Sequence, residues 1–326
     1  MLMQLSPLFR RDYRAVMAEV RQKKKKGRSF LQKAKRFGRQ GQRGKGTEIE
    51  QDQYDYLVRV MERWREGWDV EEERVMFVAN VLAGLDGEEV RVSGNQLGSR
   101  VVELLLPSAS PALVANLSSL ISADLRPACL HPFLSHVLEK LLILQTFQPV
   151  GPKQEWPEGS EEWVHKVCRF VVNNCEEFSS DVYASHLVRT CCQCMAGRRL
   201  LEAGPGAGKE AGRTEGYSGL VVWRWEGGGA EQCGEVLHLL ATRICSLESD
   251  SLYNEFTVRT VSQFLAVAPA GPAQQVVVQL LDSVLGVDQA SMEDTATVRL
   301  AEAAVQAGMQ EPQLAARLTS QLLDGR

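Results

Sequence analysis

Gly98-Ser99-Arg100-Val101-Val102-Glu103, Leu134-Ser135-His136-Val137-Leu138-Glu139 and Ala184-Ser185-His186-Leu187-Val188-Arg189 are three copies of one short frame. In each, a serine precedes a planar cation or imidazole, two aliphatics follow, and a long polar residue closes the unit. The frame returns more weakly as Thr257-Val258-Arg259-Thr260-Val261-Ser262 and Thr297-Val298-Arg299-Leu300-Ala301-Glu302. The planar positions are spaced 36, 50, 73 and 40 residues apart. The two long gaps contain residues 147–160 and 197–232, rich in Pro and Gly, which read as loops inserted between helices. A helical unit returning every thirty-six to forty residues is the pattern of an α-solenoid, in which neighbours stack to bury a core that none could build alone.

Outward from the frame the pattern stays helical. Tyr54, Leu57, Val58, Met61 and Trp64 recur at intervals of three and four. Further helices are predicted over Glu72–Leu85, Gln96–Leu106, Pro111–Ala123, His131–Thr146, Glu161–Asn174, Val182–Met195, Glu235–Ser246, Tyr253–Val267, Ala273–Val284, Thr295–Ala307 and Pro312–Leu323. They come in pairs separated by Pro or Gly, and no convincing strand alternation appears. The expected fold class is all-α, with about five repeats and a partial sixth over residues 51–326.

With 44% hydrophobic and 24% charged residues over 326 positions, the chain can bury a large core, which excludes a wholly disordered protein. No run approaches eighteen apolar residues, which excludes a membrane span, and the N-terminus does not read as a secretory signal. An intracellular protein is expected, its eight cysteines free thiols without disulfide spacing, several of them buried. The net charge of −4 conceals an asymmetry. Residues 1–46 carry a net +13 and the remainder a net −17. Dense like charge opposes a core, so residues 21–46 are expected to be disordered and residues 1–50 form a basic tail. Within it, Lys23, Lys24, Lys25, Lys26 and Arg28 suit nuclear import or sequence-blind phosphate contact.

The frame has a chemical meaning. On a helix the first polar residue and the one four later share a face, with the planar residue beside it. Single-stranded RNA is read by such sets: a planar side chain stacks on bases while polar neighbours contact base edges. Taken singly, His136 and His186 read more readily as packing histidines, and Arg100, Arg259 and Arg299 as solvated charges. Recurrence at one position favours contact for Arg100, His136 and His186.

At these residues the chain resembles the base-facing helix of Pumilio (PUF) repeats. More narrowly it is similar to the nucleolar protein 9 family, through the order of a basic tail, Tyr54-Asp55-Tyr56-Leu57, Asn95-Gln96-Leu97-Gly98-Ser99, a His-containing second repeat and Tyr183 to Arg189. The resemblance implies a nuclear and nucleolar RNA-binding protein. It would bind pre-ribosomal RNA beside proteins of the pre-ribosomal particle, in small-subunit (18S) rRNA maturation, with no catalysis, cofactor, metal or small-molecule substrate of its own. Carried over, Arg100, His136 and His186 would stack, and Ser99 with Glu103 and Ser135 with Glu139 would read base edges. In the third repeat Ser185 holds the reader position, but Arg189 replaces the usual Gln or Glu and suits a phosphate instead. Val258 and Val298 cannot bond a base edge, leaving Arg259 and Arg299 to pack or to touch the RNA backbone. The family has about twice as many repeats, so the chain is expected to be a fragment, a truncated gene model or a shortened isoform. The alternative is a nuclear helical-repeat scaffold that binds proteins.

Other chemistries fail on their residues. Gly204-Pro205-Gly206-Ala207-Gly208-Lys209-Glu210 imitates a phosphate loop, but Ala203 stands where the first Gly belongs and Glu210 where a magnesium-binding Ser or Thr belongs, and no strand precedes it. Cys191, Cys192 and Cys194 lack a second cysteine pair at zinc spacing. No Ser, His and Asp set or carboxylate pair forms a catalytic group.

Overall fold

The computed structural model describes residues 30–149, 158–198, 221–223, 228–281 and 295–308. They form two compact units, Met1–Ser108 and Ala109–Arg326. The predicted helix Pro312–Leu323 and most of both insertions lie outside the described residues, as do Lys23 to Lys26 and Arg28.

The first unit holds α1 (30–39), α2 (Gln51–Glu66), α3 (Glu71–Ala83), α4 (Glu89–Ser93) and α5 (Gln96–Leu105). Tyr54, Leu57 and Val60 of α2 and Leu97, Val101 and Leu105 of α5 are buried, and the two helices pack together. Gly98 is demanded by that packing. A β-carbon there would lie 2.0 Å from the Val92 carbonyl oxygen, so only glycine lets α5 approach the end of α4.

The expectation of disorder does not hold for residues 30–46, which with residues 47–49 are tied to the first unit. Leu31, Ala34 and Ile49 are buried, and Tyr54 Oη donates to the Ala34 carbonyl at 3.2 Å. Asn95 Nδ2 donates to the carbonyls of Arg43 (2.8 Å) and Thr47 (2.9 Å), while the Thr47 and Gln96 amides bond the carbonyls of Gly94 and Lys45. The glycine content of this stretch meets a conformational need, since Gly41, Gly44 and Gly46 adopt φ values of 68°, 81° and 88°. Dense charge misleads here because the few apolar residues of α1 all fall on one face.

The second unit holds α6 (Pro111–Ile121), α7 (Leu125–Leu130), α8 (Leu134–Thr146), β1 (Phe147–Pro149), α9 (Ser160–Asn173), α10 (Cys175–Ser180), α11 (Ala184–Ala196), β2 (Val221–Trp223), α12 (Gly228–Cys245), α13 (Glu255–Val267), α14 (Ala270–Leu280) and α15 (Thr295–Gly308). Helices α8, α11, α13 and α15 stack in chain order as one layer, and α9, α12 and α14 as the other. This is the two-layer helical-repeat solenoid expected from the spacing. Val137, Leu141, Leu187, Val188, Val261, Phe264 and Leu300 fill the core from the first layer. Each of these side chains contributes about 1.5–3 kcal/mol by burial.

Three details differ from the sequence pattern. The repeats at α3–α5, α6–α8 and α9–α11 each contain a third, short helix of five or six residues, which the long-helix periodicity hides. The two insertions meet, because β1 pairs antiparallel with β2 in the register Phe147↔Trp223, Gln148↔Val222 and Pro149↔Val221. Three-residue strands are too short to show alternation. Helix α12 begins at Gly228, inside the stretch read as loop.

Candidate functional site

Four of the five copies of the frame lie on helices whose first-turn amides are capped by a side chain five residues before the planar residue. Asn95 Oδ1 accepts the amides of Leu97 (2.9 Å) and Gly98 (3.3 Å). His131 Nδ1 accepts those of Phe133 and Leu134, both at 3.2 Å. Asp181 Oδ1 takes Tyr183 (2.8 Å) and Ala184 (2.7 Å), and Asn254 Oδ1 takes Phe256 (2.9 Å) and Thr257 (3.4 Å). An acceptor that satisfies the first-turn amides fixes where the helix begins and hence which way it faces. Arg100, His136, His186 and Arg259 therefore recur at one helical register. In the sequence, Asp294 holds the same place before Arg299, outside the described residues. This offset of an Asn, His or Asp five residues upstream is legible in the sequence but escapes a reading confined to the frame.

The aliphatics of each frame are buried and the planar residues emerge. In the first unit the Arg100 side chain is 56% exposed and pairs with Glu103 at 3.4 Å. In the second unit His136 and His186 stand on adjacent repeats with ring centroids 6.4 Å apart and planes at 58°. Two stacked contacts of ~3.5 Å each need about 7 Å. The imidazoles are thus close to the separation at which a flat ring fits between them, once they turn parallel. Arg259 and Arg299 are exposed on the next two helices of the layer, Arg259 paired with Glu255.

Beneath the histidines runs a polar network. Thr190 Oγ1 donates to Glu139 Oε1 at 2.7 Å, linking α11 to α8, and His136 Nδ1 lies 3.9 Å from Glu139 Oε2. Burial pushes the Glu139 carboxyl up, but His136, Thr190 and the neighbouring His186 more than offset it, so its pKa is lowered. Arg189 directs Nη2 to His186 Nδ1 at 2.7 Å, an arrangement in which that nitrogen accepts.

Several expected contact residues lie elsewhere. Ser99, Ser135 and Ser185 are 1%, 4% and 0% exposed, and the Ser185 hydroxyl is sealed from solvent. A serine side chain extends one atom past Cβ and stays below the surface, whereas Glu103 and Glu139 at the same helix face are long enough to reach it. Arg189, expected to meet a phosphate, is 4% exposed. Its guanidinium turns toward His186 in place of solvent.

All eight cysteines are free and seven are buried. Burial pushes the thiols of Cys191 and Cys192 well up and those of Cys129 and Cys175 to about 12, so they behave as core residues, as the sequence reading had it. Among the described residues no group of His, Cys, Asp and Glu has a metal-binding arrangement, and no helix is long and apolar enough to cross a membrane.

Comparison with known proteins agrees with the geometry. No family model matches the chain. It is similar to nucleolar protein 9 of Podospora anserina, 28% identical over 153 residues that cover 41% of this chain and 18% of that protein. Nucleolar protein 9 of Neurospora crassa is 25% identical over 190 residues, covering 51% and 24%. The chain thus matches less than a quarter of the length of these curated relatives. Among solved structures it is similar in fold to APUM23 bound to the RNA GGAUUUGACGG, with a TM-score of 0.53 and 16% identity, covering 79% of this chain and 49% of that one. A PUF-6 complex with 5BE13 RNA has a TM-score of 0.52 and 16% identity, covering 76% and 58%. The fold is that of PUF-type helical repeats.

Proposed function

We propose that this chain is a Pumilio-like RNA-binding protein of the nucleolar protein 9 type, acting in the nucleolus on pre-ribosomal RNA during small-subunit maturation. One observation carries the reading: His136 and His186, on successive repeats and at matched register, hold two imidazoles 6.4 Å apart at the surface. Paired planar groups on stacked repeats serve to hold an unstacked base. Arg100 takes the same register in the first unit, with Glu103 and Glu139 as the edge-reading groups. Arg259 and Arg299 contact the RNA backbone. The RNA complexes among the fold neighbours support RNA as the ligand, and the name of the curated relatives supports the nucleolus. The run Lys23 to Lys26 with Arg28 serves import or adds phosphate contact.

Crosslinking in cells followed by sequencing of bound RNA tests this. Recovery dominated by precursor rRNA of the small subunit is expected. Recovery of no RNA above background would overturn the reading in favour of a protein-binding scaffold. In vitro, His136→Ala with His186→Ala should weaken RNA binding about 10-fold or more, since stacking is worth roughly 1–3 kcal/mol per base, while leaving the unfolding midpoint nearly unchanged. A collapse in stability would assign the histidines to packing.

A further inference from the structure

The segment 30–47 contains six cations, Lys33, Lys35, Arg36, Arg39, Arg43 and Lys45, and no acidic residue. On the helical wheel of α1, Phe30, Leu31, Ala34, Phe37 and Gly38 occupy one arc, and Lys33, Lys35, Arg36 and Arg39 occupy the other with Gln32 and Gln40. The apolar arc is seated: Leu31 and Ala34 are buried, and Tyr54 Oη and Gln51 Nε2 hold the carbonyls of Ala34 and Gly38. Gly38 permits close approach, since a β-carbon there would lie 2.9 Å from Asp55 Oδ1. The basic arc faces outward around a shallow cavity of about 340 Å³ lined by Gln32, Lys35, Arg36, Arg39 and Gln40.

Two of the six cations are already engaged, Lys35 by Glu62 and Arg43 by Glu48. Lys33, Arg36, Arg39 and Lys45 are exposed and pair with no carboxylate among the described residues. Holding like charges in a fixed array costs electrostatic free energy, and a polyanion that spans them returns it by releasing its counterions. We propose that α1 is a fixed phosphate-binding platform of the first unit, engaging the RNA backbone through Lys33, Arg36 and Arg39. It rests on the RNA reading above and adds a second, sequence-blind surface to it. Such a surface answers the net −17 of residues 47–326, which by themselves repel RNA.

An import receptor is the other macromolecule that fits a basic segment. It is disfavoured because the apolar arc and carbonyls of α1 are already committed to α2. The clasp of Asn95 on residues 43–47 further ties the segment to the start of α5. Extraction of α1 would expose the buried Leu31 and Ala34.

The test compares full-length wild type with Lys33→Gln/Arg36→Gln/Arg39→Gln and with a charge-matched control on other helices of the same unit, Arg59→Gln/Arg74→Gln/Arg91→Gln. Binding of a fluorescein-labelled, random-sequence 20-nucleotide single-stranded RNA is followed by anisotropy between 50 and 300 mM KCl. Loss of three phosphate contacts should flatten the slope of log K against log salt by about 2 and weaken binding about 10- to 100-fold near 0.1 M salt. The control should change little, and all three proteins should unfold at similar temperatures. An unchanged slope in the α1 variant overturns the proposal, as does an equal loss in the control, which would assign the effect to net charge. Retained RNA binding with lost nuclear entry of a fluorescent fusion would transfer the surface to an import receptor. Wild type that fails to bind the random RNA also overturns it, leaving the base-stacking reading to be decided by crosslinking.

Discussion

The second and third repeats carry the same frame and differ at its last position, Glu139 against Arg189. In the second repeat the glutamate is half-buried and reaches Thr190 of the neighbouring helix while keeping one edge toward the surface. In the third repeat the arginine folds inward and supports His186 from below. A shared register therefore does not confer a shared role. One repeat keeps a surface carboxylate that can meet a base edge, and the other uses its polar terminus to brace the planar residue.

The largest effect expected from breaking this contrast is at Arg189. Its stem and guanidinium fill space beneath His186, so Arg189→Ala should cost about 2–4 kcal/mol through lost packing and a cavity. The urea unfolding midpoint of the full chain measures it, and a change below 0.5 kcal/mol (roughly the level of surface substitutions) would sink the bracing role. Next comes Glu139→Ala, which leaves Thr190 without its acceptor and should cost about 1–3 kcal/mol. Because the folded pKa of Glu139 is lowered, its contribution is fully present above the unfolded value of about 4.3 and is lost as pH falls through the folded value. Glu139→Gln should remove that acid dependence; an unaltered pH profile would contradict the assignment.

The caps of the two repeats offer a finer contrast. Asp181→Ala should cost about 1 kcal/mol. At the equivalent place His131 caps through Nδ1, which must stay unprotonated, and burial lowers its pKa. Its cap is therefore intact above the unfolded value of about 6.5 and is lost as pH falls through the folded value. The smallest expected effect is the flattening of this dependence by His131→Asn, seen as equal protection of the Phe133 and Leu134 amides, relative to their intrinsic exchange rates, at pH 5 and pH 7. Protection that still falls at pH 5 in the variant would show that the cap is not its source.

Much of this was legible in the chain. Intervals of three and four among Leu, Val and Ile residues identify the long helices, because one face of each must be apolar. The matched frames identify Arg100, His136, His186, Arg259 and Arg299 as equivalent. The short helices α4, α7 and α10 were not legible, since five or six residues carry too little periodicity. The fold of residues 30–46 was not legible, because their charge density outweighs a four-residue apolar pattern.

The sequence by itself determined the all-α repeat architecture and the register of its planar residues, because apolar spacing and cap chemistry act within a single helix. Only tertiary structure decided which member of each frame meets solvent. Ser185 and Arg189 are buried because α11 packs against its neighbours, and His136 comes to face His186 because α8 and α11 stack. It also decided that a basic stretch expected to stay unfolded becomes a surface of the first unit. Exposure and the gain from covering an apolar face depend on the partner surface, and no local pattern contains that surface.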